Sequence, residues 1–228
     1  MKFLIQTING EVKHDFSFTL LESISYQNWL NNNPITDMKY NLSEHINYAG
    51  YIPVGSVEFV ISYLEKYYNL TPKPKNIPAE LLDNKFTGRK VINGTNKDIK
   101  ELSFVKSNDK IKSFTNICDE APEGNYQISE LIDIESEYRC FIYKGKLVGL
   151  KHYVGDFTIF PDIISINQMI KHYINSPIAY TLDVGVSNGK TIIIEVHDFF
   201  SCGFYGFSDH TIIPYMFSRW FYEFTNYK

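Results

Sequence analysis

The stretch that most constrains this chain runs from Ala179 to Gly206, AYTLDVGVSNGKTIIIEVHDFFSCGFYG. Ser187-Asn188-Gly189 is a turn signal between two apolar runs, so it predicts a hairpin of strands Tyr180–Val186 and Lys190–His197. The second strand opens with Thr191-Ile192-Ile193-Ile194, a β-branched run too apolar to face water on both sides. Three polar side chains then break the core pattern: Asp183 on the first strand, Glu195 and His197 on the second. Residues two apart share a strand face, so Glu195 and His197 project together. Whether Asp183 joins them depends on register. A two-residue Asn188-Gly189 turn with regular pairing sets Asp183 opposite Ile194 and leaves Glu195 on the other face. A three-residue loop, or a bulge near Gly185, sets Asp183 opposite Glu195. Facing carboxylates repel unless a cation lies between them, and hard oxygen donors suit Mg²⁺. The alternative is an ordinary hairpin whose acids reach solvent.

A chain of 228 residues can bury a sizeable core, in one domain or two small ones. A hydrophobic content of 44% with 16% aromatics excludes a disordered segment. The net charge of −4, with no cluster of Lys and Arg on one face, argues against a nucleic-acid partner. Of the 22 basic residues only Arg89, Arg139 and Arg219 are arginines, which marks each for a planar, bidentate contact. Cys118, Cys140 and Cys202 are odd in number and without paired spacing, as expected of reduced thiols in a cytoplasm. No apolar run approaches the roughly 18 residues of a membrane helix, and the apolar start Met1–Ile5 is too short for a signal sequence. The expectation is a soluble, cytoplasmic protein without a membrane partner; its oligomeric state stays open.

In chain order, Lys2–Ile8 and Glu11–Phe18 predict two strands around the turn Asn9-Gly10, and Leu20–Leu30 predicts a helix broken at Pro34. A second helix spans Ser56–Tyr68, capped by Gly55 or Ser56. Three prolines between Thr71 and Pro78 mark a boundary. Arg89–Asn93 and Leu102–Lys106 predict strands with a turn at Asn93-Gly94, and Tyr126–Ile134 is a further apolar stretch. A clear hairpin follows, Glu137–Tyr143 and Lys146–Tyr153 around Lys144-Gly145. Helical spacing recurs in Asp162–Ile174 and Pro214–Asn226. The whole predicts an α+β class with mostly antiparallel strands.

Asp183-Val184-Gly185-Val186, a short Gly turn, an apolar strand and Glu195-Val196-His197 resemble the metal-binding hairpin of the ATP-grasp ligases, with His197 where that family usually has Asn. The order of motifs from Ile5-Gln6-Thr7 to Arg219-Trp220 resembles the R2K clade of that superfamily, common in phages and bacteria. The resemblance implies an ATP-grasp fold, with a pre-ATP-grasp region over 1–78 and the ATP-grasp domain over 79–228. It also implies ATP and Mg²⁺ as cofactors and a carboxylate–amine ligation through an acyl phosphate, with an amino-acid, peptide or protein acceptor.

Carried onto these residues, the resemblance assigns Lys106 to the α/β phosphates, with Ser107 where Pro is usual, and Lys112 to a loop closing over the nucleotide. Ser129-Glu130-Leu131-Ile132 resembles the hinge, with Leu131 and Ile132 at adenine and Glu130 at the ribose. Arg139 sits among apolar neighbours and needs a partner; a phosphate is one, and Glu137 on the same face is the structural alternative. Lys151 and His152 end a strand where the γ-phosphate or acceptor would lie, although His152 reads first as a satisfied core histidine. Arg139 and Lys151 are thus the catalytic candidates, and Asp183, Glu195 and His197 the metal ligands, with Asp198 a substitute for His197. Cys202 lies in a run resembling the family's acceptor loop but has no activating base. A second reading keeps the fold without the chemistry: a nucleotide-binding or interaction protein, for example a phage factor acting on a host protein. His197 and Ser107 favour it, whereas Lys106, Arg139, Asp183 and Glu195 favour the ligase.

Overall fold

The computed structural model describes residues 1–111 and 113–226. The chain forms two compact units, each assembled from separate stretches: 1–71, 177–179 and 198–228 make the first, 72–176 and 180–197 the second. The first crossing falls in the proline-rich stretch, between Thr71 and Pro72, but a single boundary after residue 78 does not reproduce the units, because the C-terminal residues belong with the N-terminal ones.

In the first unit β1 (Lys2–Gln6) lies between two parallel neighbours, β2 (Lys39–Ser43) and β3 (Ile52–Val54). Phe3, Leu4 and Ile5 are all buried, the unbroken apolar run of a strand covered on both faces. The Asn9-Gly10 turn forms, but it closes only a bridge between Ile8 and Glu11. The expected strand Glu11–Phe18 is instead the approach to helix α1 (Asp15–Asn31). Phe16, Phe18 and Leu20 alternate like a strand, yet Phe16 and Leu20 are also four apart; the helix buries that pair and exposes Phe18. Helix α2 (Val57–Tyr68) begins where predicted, with the Phe59 N–H donating to Ser56 Oγ. The C-terminal helix Ile213–Asn226 buries Phe217, Trp220 and Phe221, leaving Arg219 exposed. Phe221 meets Tyr68 of α2 edge-on.

The second unit holds two four-stranded sheets and the short helix α3 (Asn84–Thr87). In one sheet β4 (Val91–Thr95), β5 (Ser103–Ser107), β6 (Thr115–Cys118) and β7 (Asn125–Ser129) run antiparallel in the order β4-β7-β5-β6. Asn93-Gly94, predicted as a turn, is inside β4. The glycine serves a close approach: a Cβ on Gly94 would lie 2.8 Å from Asp98 Oδ2, which accepts from the Thr95 N–H and hydroxyl.

The other sheet has the order β11-β10-β8-β9. Its strands β8 (Ser136–Tyr143) and β9 (Lys146–Gly155) form the hairpin predicted around Lys144-Gly145. Helix α4 (Ile163–His172), capped by Asp162, leads into β10 (Ala179–Ser187) and β11 (Lys190–Asp198). Tyr138, Cys140, Leu182, Val184 and Ile193 pack with Ile166 and Met169 of α4. Edge strand β11 has its backbone covered: Arg89 Nη1 donates to Ile193 O at 3.0 Å, and Val196 N–H donates to Asn76 O at 2.7 Å. Arg89 thus closes a sheet edge rather than gripping a ligand.

Candidate functional site

The β10–β11 hairpin closes with a two-residue turn, Asn188 and Gly189 both having positive φ (50° and 70°). The longer loop is absent, yet Asp183 and Glu195 share a face. On β10, Tyr180, Leu182 and Val184 enter the core in strict alternation, which turns Asp183 and Gly185 the other way. On β11, Ile193 and Val196 enter that same core although they are three positions apart. The alternation slips by one residue between them, as at a bulge, and puts Ile194 and Glu195 together on the face of Asp183. A Cβ on Gly185 would accordingly come within 3.2 Å of Ile194 Cδ1. Ile193 and Val196 thus mark an irregularity on β11.

This face carries a chain of alternating charges. Asp183 is only 1% exposed, and its two oxygens accept from Arg139 Nε at 2.8 Å and Nη2 at 2.7 Å. Arg139 is therefore paired with an acid on the neighbouring strand, not with Glu137, whose Oε2 accepts from the Tyr153 hydroxyl. His197 Nε2 donates to Glu195 Oε1 at 2.7 Å and lies 3.8 Å from Asp183 Oδ2. Glu195 Oε2 accepts from Lys106 Nζ, which reaches across from β5, so this ion pair joins the two sheets. Phe104 supports the Lys106 ammonium from below, its ring centre 5.0 Å away.

The electrostatics follow from these contacts. Burial acts to raise the Glu195 carboxyl pKa, but the His197 and Lys106 charges and hydrogen bonds outweigh it and hold the group well below its usual 4.5. Burial, the Asp183 charge and the bond to Glu137 push the Tyr153 phenol up, so it remains a hydrogen-bond donor. Burial, then the Asp183 charge, likewise raises the Cys140 thiol and keeps it neutral.

Asp183, Glu195 and His197 each offer one donor atom, all within 4.8 Å of one another. Each carboxylate accepts two hydrogen bonds here and has about four lone-pair sites, so both keep capacity for a cation. Two carboxylates and an imidazole fit a divalent metal ion.

The other sequence-predicted residues fall into three groups. Lys151 is the cross-strand partner of Arg139 and makes no hydrogen bond or ion pair among the described residues. Glu130, Leu131 and Ile132 lie in the connection from β7 to β8; the Glu130 and Lys90 backbones are joined, and Glu130 Oε2 accepts from Lys90 N–H at 3.2 Å. Lys112 lies outside the described residues. His152 is not a satisfied core histidine: it meets the Tyr138 ring edge-on, and its Nε2 is buried without a partner. The sequence reading missed Tyr153, whose ring lies 5.8 Å from the Arg139 guanidinium. Its signal was the two-residue spacing from Lys151, matching that of Glu137 and Arg139 on β8.

Residues 86–214 match the sequence pattern of the ATP-grasp domain, R2K clade family 2. The chain belongs to this family. The matched segment contains all five residues of the ionic chain, so the R2K ATP-grasp domain includes the hairpin and the strand that bears Lys106. No curated protein matches the sequence. Solved structures share the R2K protein's fold at low identity. D-alanine–D-alanine ligase from Bacillus anthracis is 11% identical with a TM-score of 0.50, over 99% of this chain and 96% of that one. A RimK domain ATP-grasp protein from Sphaerobacter thermophilus DSM 20745 is 10% identical with a TM-score of 0.52, over 98% and 99%. The ATP-grasp ligase PsnB, complexed with minimal precursor, Mg and ADP, is 10% identical with a TM-score of 0.50, over 96% and 97%.

Proposed function

We propose that this chain is an ATP- and Mg²⁺-dependent ligase that joins a carboxylate to an amine through an acyl phosphate, with an amino acid, peptide or protein as acceptor. The observation that carries the reading is the alternation of Lys106, Glu195, His197, Asp183 and Arg139 between two sheets. Phosphoryl transfer needs cations for the phosphates and acids for a metal, fixed within a few ångströms of each other. Here each phosphate-binding cation rests on a metal-binding acid. Lys106 and Arg139 would hold phosphate oxygens and Asp183 and Glu195 a divalent ion, so that each charge would keep a partner in the loaded site. Asp183, Glu195 and His197 would hold a divalent ion, which when bound would supply positive charge to offset the phosphate oxygens. Lys151, the cross-strand partner of Arg139, offsets the negative charge of the transferring phosphoryl group.

The donor carboxylate attacks the γ-phosphorus and ADP departs; the amine then attacks the acyl carbon and phosphate departs. The backbone of Leu131 and Ile132 holds adenine and Glu130 the ribose, within a functional ATP-grasp module over 79–228 that follows a pre-ATP-grasp region over 1–78. The free cysteines suit a reducing, cytoplasmic setting.

The test is ADP release with Mg²⁺ across a panel of amino acids and peptides. Acceptor-dependent ADP supports the ligase. A second reading, binding without turnover, is favoured by His197 where Asn is usual and Ser107 where Pro is usual; nucleotide binding with no ADP from any acceptor of the panel would support it.

A further inference from the structure

The ion that this hairpin prefers can be read from its donors and from the charge around them. Asp183 and Glu195 bring two negative charges, but Arg139 and Lys106 already bring two positive ones into direct contact. A hard ion such as Mg²⁺ is attracted mainly by net negative charge, and it gives up its water reluctantly. The pull on any divalent ion is weakened here by both cations, so the donor atoms decide between ions of equal charge. The imidazole is different in kind. His197 Nε2 points at both carboxylates, 2.7 Å from Glu195 Oε1 and 3.8 Å from Asp183 Oδ2, and a nitrogen donor suits first-row transition ions better than it suits Mg²⁺. Among those ions Mn²⁺ also favours carboxylate and water oxygens, matching the rest of this donor set.

We infer that His197 is a specificity-determining residue that makes the Asp183–Glu195 site bind Mn²⁺ in preference to Mg²⁺. The inference rests on the metal site proposed above, but not on ligase turnover. His197 is the most exposed of the three, with 41% of its side chain accessible, so replacing it leaves the buried Arg139–Asp183 pair in place.

The experiment is Mn²⁺ titration of the nucleotide-free protein, followed by the loss of the free-ion electron paramagnetic resonance signal, with Mg²⁺ as competitor. Pulsed spectra of the bound ion report any nitrogen ligand. The wild type is expected to hold one Mn²⁺ with an imidazole ¹⁴N coupling, displaced only by a large excess of Mg²⁺. Loss even of an outer partner of a ligand lowers metal affinity about 10–100-fold, and His197 is itself the ligand, so His197→Asn should lower Mn²⁺ affinity at least about tenfold and abolish the coupling, with little change for Mg²⁺. His197→Gln serves as a second variant with the same expectation. Bound Mn²⁺ without nitrogen coupling, an unchanged Mn²⁺:Mg²⁺ ratio in both variants, or no Mn²⁺ binding to the wild type each overturns the inference. His197-dependent Mn²⁺ binding in a protein that releases no ADP would leave it standing and remove the ligase reading instead.

Discussion

Arg139 holds Asp183 by both oxygens, at 2.8 and 2.7 Å, and both side chains are almost wholly buried. A pair so placed is ambiguous by itself, since it is a fold element and a candidate part of the site at once. The two roles separate under mutation. Arg139→Ala removes both hydrogen bonds to the buried Asp183 carboxylate and leaves it only His197, 3.8 Å away, a loss of about 3–5 kcal/mol. Denaturant unfolding should therefore show a large loss for Arg139→Ala, and a double variant with Asp183→Ala should lose less than the two single losses added together. Additive losses would mean that the two side chains are not coupled.

Lys106 is the contrasting case, because its partner Glu195 keeps His197 when the ammonium is removed. Lys106→Ala should weaken ATP binding about tenfold to hundredfold, as loss of a charge-assisted contact of about 1.5–3 kcal/mol does. Its unfolding midpoint should move much less than that of Arg139→Ala. Normal ATP affinity in this variant would remove Lys106 from the phosphate site.

The first unit yields a pH prediction independent of the site. Tyr63 is fully buried; its hydroxyl donates to Tyr48 O and accepts from Tyr51 N–H, and burial pushes its pKa from 10.0 up to about 12. The folded state therefore keeps its proton where the unfolded state has lost it. That contribution to stability is full below pH 10 and declines as pH rises towards about 12. Tyr63→Phe should flatten this alkaline decline in a series of denaturant melts; an unchanged slope would show that Tyr63 does not set it.

Much of the candidate site was legible in the sequence because its acids interrupt an apolar hairpin, where a buried charge needs a stated reason. The hairpin around Lys144-Gly145 and the helices capped by Ser56 and Asp162 were legible for similar local reasons: turn glycines and cap hydroxyls or carboxylates act within a few residues. What escaped was set at longer range. The slip between Ile193 and Val196 depends on which residues the α4 side of the sheet can accept, and no local signal marks it. The partner of Arg139 lay 44 positions away on β10, whereas Glu137 was two positions away and drew attention first. Phe16 to Leu20 misled because a helix and a strand both satisfy that spacing. Gly94 reads as a turn unless Asp98, folded back against it, is known.

The central claim is that the ionic chain from Lys106 to Arg139 is a nucleotide phosphate site, and the most direct measurement is calorimetric titration of ATP with Mg²⁺ into the wild-type protein. The account predicts saturable binding of one nucleotide per chain that requires the divalent ion. Absence of binding at millimolar ATP with Mg²⁺ present would contradict it.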